Sequence, residues 1–379
     1  MSYINTDTFL DIARQHDYDA DSILATIKAT INASYSGTTT TINNRIANYR
    51  RKGLLPLDSG NFVSLGEVLK SSSTLFDSNG AIKQQWIKTD VDKSTQLAAF
   101  SEAVSAIAQD LPAIPELSPP TFPVVSELAS LYISNDCHLG ALMWDQETGA
   151  DWNTELAAQT YRDAYDHLFA ATPASKVGIV VDLGDLTEAD NNRNMTPKSG
   201  HILATDSRHG KVLRVAYEML IYAIEKALLK HELVYFYNIS GNHDEFTAIA
   251  VREVIRMTFR DNPRVIVCET AMPIKYHQHG SVLLQFAHGD GMKMAKAGET
   301  LAVDCADIFS STKYRFSHFG HSHVDKVLDS PICRVESHRN LTPNNAWAVQ
   351  MGYRRSPGTM KAITYHADKG EVSRSTYNI

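Results

Sequence analysis

The chain has 379 residues, 43% of them hydrophobic, and a formal net charge of −7. That is enough apolar mass for one large core or two unequal ones, and it excludes a mainly disordered chain. No run of about 18 apolar residues is present to cross a bilayer, and MSYINTDTFLDIA lacks the basic-then-apolar order of a secretory signal, so a cytoplasmic location without a membrane partner is expected.

From the N-terminus, the apolar spacing of DTFLDIARQH, DSILATIKATINAS and TINNRIANYRRKGLL is helical, with Gly53 where a helix would stop. Charge is segregated along these helices. Residues 7 to 21 hold Asp7, Asp11, Asp17, Asp19 and Asp21 against Arg14, whereas residues 22 to 57 hold no acid and carry Lys28, Arg45, Arg50, Arg51 and Lys52. Thr38 to Gly53 fits the capped second helix of a helix-turn-helix, with LPLDSGNFVSLGE as a wing. On that reading Arg45, Arg50, Arg51 and Lys52 contact DNA. The alternative is a solvated helix face whose cations complement its own dipole.

QDLPAIPELSPPTFP, residues 109 to 123, has five prolines, which deny helix and central strand and favour an extended connector. The expected organisation is therefore a helical, winged-helix-like domain over 1–108, a Pro-rich linker over 109–125 and a larger domain over 126–379. Downstream of the linker, apolar runs ending in Gly, Asp, Asn or His alternate with helical segments, the grammar of an α/β layer fold.

The endings of those runs carry the chemistry. LYIS leads into Asp136 and His138, VGIVVDL into Gly184 and Asp185, LVYFYNIS into Gly241, Asn242, His243 and Asp244, VLLQFA into His288, and the run around Phe316 into Gly320, His321 and His323. Polar groups at the carboxyl ends of strands converge on one rim of an α/β sheet. The i, i+2 pairs Asp136/His138 and His321/His323 can leave an extended backbone on one face. Oxygen donors mixed with imidazoles suit Mn, Fe, Zn or Ni. The cysteines, Cys137, Cys268, Cys305 and Cys333, have no CxxC spacing and argue against a thiolate site or a disulfide framework. Two Asp, one Asn and four neutral His would leave two divalent ions with a surplus of positive charge, a receptor for phosphate. Two ions sharing a carboxylate can promote in-line phosphoester hydrolysis.

The ordered blocks D-x-H, G-D, G-N-H-D, H-G and G-H-x-H resemble the calcineurin-like metallophosphoesterase superfamily. The N-terminal helices together with VESHRNLTPNNAWAVQMGYRRSPGTMKAITYHADKGEV further resemble bacteriophage-encoded phosphoesterases and nucleases. The resemblance implies a sandwich of two mixed β-sheets flanked by helices, with two divalent ions, Mn first and Fe, Zn, Ni or Mg as alternatives. It implies Asp136, His138, Asp185 and His323 at one ion, and Asp185, Asn242, His288 and His321 at the other, with Asp185 bridging. His243 would position the phosphate and protonate the leaving oxygen, and Asp244 would orient His243. Leu186 and Thr187 follow Asp185 where the protein-phosphatase branch has Arg-Gly after its Asp, which points to the phosphodiesterase and nuclease branches.

Glu336, His338, Arg339, Arg354 and Arg355 are candidate substrate contacts, Arg339 and Arg354 foremost because guanidinium suits phosphate. His277, His279 and His318 are set aside as ordinary core or surface histidines. The implied activity is hydrolysis of a phosphodiester, DNA foremost, by a metal-bound hydroxide. A cyclic-nucleotide or nucleotide phosphodiesterase, a phosphomonoesterase, and a DNA-binding regulatory module carrying a phosphatase are the alternatives.

Overall fold

The computed structural model describes residues 4–16, 18–31, 36–51, 67–76, 82–91, 97, 114, 117–196, 200–352 and 358–379. The chain divides into two units, Met1–Phe100 and Ser101–Ile379.

In the first unit, α1 (Thr6–Gln15) starts at Asn5, whose side chain accepts from Thr8 N, and α2 (Ala20–Thr26) starts at Asp19, which accepts from Ser22 N. Each cap satisfies an amide that the helix cannot. α3 (Thr39–Arg51) is preceded by Thr38, whose hydroxyl accepts from Thr41 N. Ile42, Ile46 and Tyr49 lie on one face of α3 and pack with Phe9, Ile23 and Ile27 in a small core. β1 (Glu67–Phe76) and β2 (Ile82–Val91) form an antiparallel hairpin. The wing expected over residues 55–67 falls almost wholly outside the described residues.

The second unit is a four-layer sandwich. β3 (Val125–Ser134), α4 (Asp145–Thr148), α5 (Thr154–Ala171), β4 (Ser175–Asp182), α6 (His209–Leu228), β5 (Leu233–Asn238), α7 (Glu245–Thr258) and β6 (Val265–Val267) come first in sequence. β7 (Lys275–His279), β8 (Val282–Ala287), α8 (Ala297–Asp304), β9 (Tyr314–Phe319), β10 (Lys326–Asp329), β11 (Arg334–Ser337), α9 (Ala346–Gln350), β12 (Thr359–His366) and β13 (Gly370–Asn378) follow. One sheet has the order β13-β12-β3-β4-β5-β6 and the other β10-β11-β9-β8-β7. Both are mixed: β3 to β6 run parallel in the first and β8, β9 and β11 in the second, with antiparallel strands outside them.

Side-chain alternation explains the layers. Leu131 and Ile133 face the other sheet with Ile179, Val181, Leu284 and Phe286. Tyr132, Val180 and Phe236 point the opposite way into a second core against helices α5, α6 and α7. The far face of the smaller sheet, with Leu283, Phe319 and Val335, is covered by Ala297 and Leu301 of α8. Strands buried on both faces read as nearly continuous apolar runs, which is why polar residues mark their ends so sharply.

The Pro-rich segment, expected as an extended connector, packs on the second unit where it is described. Ile114 N donates to Thr258 O, and Ile114 and Leu117 pack against the helix-side core. Arg264, 7% exposed, donates through its guanidinium to the carbonyls of Leu117, Leu228, His231 and Glu232. Among the described residues no helix is long and apolar enough to cross a membrane.

Candidate metal centre

Five loops leave the carboxyl ends of β3, β4, β5, β8 and β9 and meet at one rim. Backbone bonds extend the sheets into them: Asp136 N donates to Gly184 O, His138 N to Asp185 O, and Gly320 N to His288 O. Seven non-glycine residues among those described have positive φ, and five of them are Asp136, His138, Asp185, His321 and His323. Such conformations cost about 1–3 kcal/mol each and persist where surrounding contacts enforce them. Two glycines make the close approach possible. A Cβ on Gly241 would collide with Asp185 Oδ1, and one on Gly320 would lie 2.7 Å from Asp136 Oδ2.

The side chains that the sequence singled out fall into two clusters. In the first, His323 Nε2 lies 3.1 Å from Asp136 Oδ1 and 3.2 Å from His138 Nε2. In the second, His288 Nε2 lies 3.2 Å from both Asp185 Oδ2 and Asn242 Oδ1, with His321 completing a cluster with Asp185 and His288. Asp185 also holds the third loop, because its Oδ1 accepts from His243 N at 2.8 Å.

The donor set fits cations on its own chemistry. His288 donates Nδ1–H to Leu183 O at 2.8 Å, so in the neutral ring Nε2 carries a lone pair, and it faces two oxygens. His138 turns Nδ1 to the Glu188 carboxylate at 2.7 Å, leaving its Nε2 lone pair toward His323 and Asp136. Acceptors meeting acceptors call for a proton or a cation between them. Protons tell the same story. Burial disfavours charge on His288 and His138, yet Asp185 and Glu188 beside them outweigh it and push the two histidines up to about 10 and about 9. Burial likewise opposes ionisation of Asp136, but His323 holds it down at about 2. A cation entering either cluster displaces these protons.

Glu188 is the residue that sequence reading missed. Its carboxylate orients His138, and its backbone carbonyl accepts from His243 Nδ1 at 2.7 Å. A third cluster, His138, Glu188 and His243, results. Asp244 does not do what was expected of it. Its Oδ1 accepts from Gly241 N and its Oδ2 from Leu186 N, both at 2.7 Å, so it ties two loops together, and His243 takes its orientation from Glu188.

The outlying candidates fare differently. Arg339 is half-buried beside this region, its backbone amide donating to Asp325. Glu336 is buried and bound by Arg374 and Lys361, and buried His338 bonds His318. Arg354 and Arg355 lie outside the described residues, as do Lys52 and the side chains of Arg50 and Arg51. Arg45 is turned inward: its guanidinium lies 4.2 Å from the Phe9 ring centre and donates to Ile4 O and Tyr49 Oη.

No family model matches the chain, and no curated protein does. Among solved structures it is similar to a conserved uncharacterized protein (predicted phosphoesterase) from Streptococcus pneumoniae TIGR4, at 9% identity over 66% of this chain and 98% of that one, TM-score 0.27. An archaeal phosphodiesterase aligns at 12% identity over 66% and 99%, TM-score 0.33. Vps29 of Chaetomium thermophilum aligns at 11% identity over 66% and 98%, TM-score 0.30. Likeness this faint decides nothing about chemistry, which rests on the site's own atoms.

Proposed function

We propose that the second unit is a dinuclear-metal phosphoesterase that hydrolyses phosphodiester bonds. The observation that carries the reading is the meeting of lone pairs at the rim, His288 Nε2 with Asp185 and Asn242 oxygens, and His138 Nε2 with His323 and Asp136. Asp136, His138 and His323 would hold one divalent ion, Asn242, His288 and His321 the other, and Asp185 both. Mn is the first choice for a set of oxygen and imidazole donors without sulfur. Bound there, the ions would acidify water and draw charge from the phosphoryl oxygens.

The remaining steps belong to side chains. His243, with Nδ1–H fixed on the Glu188 carbonyl, keeps Nε2 for the substrate, and in its protonated form it delivers that proton to the leaving oxygen. Glu188 holds the His138 ring so that its Nε2 faces inward, the role that a carboxylate behind a ligand histidine plays in metal sites. Buried Asp136 is steadied by Asn135 Nδ2 and by the amide of His321, both at 2.8 Å.

The test is hydrolysis of bis(4-nitrophenyl) phosphate, a nitrophenyl monoester and DNA by full-length protein stripped with chelator and reloaded with Mn, Zn, Ni or Fe. Turnover that appears only after reloading is expected. Equal turnover in stripped protein, or none with any metal, overturns the reading. DNA as the substrate draws on the basic stretch of the first unit, and Arg45, committed inside that unit, withdraws one of its cations.

A further inference from the structure

The turn from Asp136 to His138 offers two side chains to the first cluster, and both residues lie in the left-handed region, at φ 46° and 44°. Backbone of that kind persists only where neighbours enforce it. Its amides are answered from one side: Asp136 N donates to Gly184 O and His138 N to Asp185 O, both at 2.9 Å. Its carbonyls are answered from the other, by a stretch that none of the roles above uses.

That stretch is residues 337–342, at and beyond the end of β11. Asn340 Nδ2 donates to Asp136 O at 2.9 Å, and Thr342 Oγ1 donates to Cys137 O at 2.8 Å and lies 3.2 Å from Asp136 O. Asn340 and Thr342 are both buried, and buried carbonyls need such donors. The stretch is itself pinned. Leu341 sits in the helix-side core, and Asn340 O accepts from Thr359 N at 3.0 Å, where β12 begins. It also grips the loop beyond His323, since Ser337 Oγ donates to Val324 O at 2.8 Å and Arg339 N to Asp325 Oδ1 at 3.1 Å. The second cluster is fixed elsewhere, His288 on Leu183 O and Asp185 on the amide of His243.

We infer that Asn340 and Thr342 are positioning residues for one ion of the pair: by holding the carbonyls of Asp136 and Cys137 they keep the turn that aims Asp136 and His138 at His323. The inference rests on the dinuclear phosphoesterase reading and makes occupancy of the first site depend on residues that touch no metal. Both places require a hydrogen-bond donor, which an amide and a hydroxyl supply.

Metal binding tests this apart from activity. Full-length protein stripped with chelator is titrated with Mn, and free Mn is read by electron paramagnetic resonance. Wild type should take up two ions. Thr342→Val and Asn340→Leu should each keep one ion at wild-type affinity and hold the other about ten- to a hundredfold more weakly, the scale of lost support behind a metal ligand. Thr342→Ser, which keeps the hydroxyl, should bind both as wild type does. Circular dichroism of the stripped proteins confirms folding, and because two different side chains act on one turn, either variant decides the matter. Both ions weakened alike, both held at wild-type affinity, or the same single loss in Thr342→Ser overturns the inference. The expected single loss in a protein that hydrolyses no phosphoester keeps the inference and removes the phosphoesterase reading alone, whereas wild type that binds neither ion overturns both.

Discussion

Two groups of buried histidines in the second unit contrast in what their nitrogens face. At the rim, His138 and His288 turn lone pairs toward carboxylates and other acceptors, and those carboxylates push both up to about 9 and 10. In the interior, His231 donates Nδ1–H to Ser175 O at 2.8 Å and accepts from Tyr132 Oη at 2.9 Å. His318 bonds His338 and Tyr365, and His277 bonds Tyr237. Burial holds all three down at about 4. Burial is common to both groups, so it cannot tell a metal ligand from a structural histidine. The partner's chemistry can: a ring such as His231, whose two nitrogens are answered by a carbonyl and a hydroxyl, has nothing left for an ion.

Substitutions at the rim should break this contrast most severely. Asp185→Asn alters the carboxylate proposed to serve both ions, and metal analysis should find both ions lost together with hydrolysis. Retention of either ion would remove Asp185 from its bridging place. Next comes His243→Ala, which should keep full metal content while turnover drops about a hundredfold, the scale of a missing general acid. Steady-state kinetics beside metal analysis on the same sample decides it.

A smaller effect is expected behind the ligands. Glu188→Gln should weaken metal binding about ten- to a hundredfold, because His138 loses the carboxylate that orients it. Competition with a chromogenic chelator measures this, and an unchanged affinity would make Glu188 a bystander. In the interior, His231→Leu should leave metal content untouched and cost about 1–3 kcal/mol for the partners left unanswered. It should also alter the acid limb of stability. The folded protein holds His231 at about 4 against 6.5 for an open chain, so the unfolded state takes up its proton first. The stability it contributes is complete above about pH 6.5 and is lost as pH falls toward 4. Urea midpoints between pH 7.5 and 4 should therefore decline less steeply in His231→Leu than in wild type.

Much of this was legible in the chain because each core strand is apolar on both faces and stops at a polar residue. Asp136, Asp185, Asn242, His288 and His321 could be read off as strand endings, and parallel strands bring such endings to one rim. The α/β layering followed from the same grammar, and the two mixed sheets from the family resemblance. Glu188 was hidden because its partner, His138, stands in a different loop and a lone glutamate after a Gly-Asp pair carries no pattern. Asp244 misled because it adjoins His243 in sequence, while the backbone amides of Gly241 and Leu186 are nearer to it in space. Arg45 misled because a count of cations does not say which way they point. One residue before Ile46 and four before Tyr49, it sits at the edge of the buried face of α3, where stacking on Phe9 draws it inward.

Arg264 fixes where the chain can be cut. Its guanidinium takes one carbonyl, that of Leu117, from the Pro-rich stretch ahead of β3, and three from the second unit's interior turns. A fragment begun at residue 126, the border that composition suggests, would strand a buried cationic donor, a loss of a few kcal/mol. It would also uncover the apolar surface that Ile114 and Leu117 protect. A fragment begun ahead of residue 114 keeps both, so Ile114 and Leu117, which composition assigns to a connector, belong with the second unit.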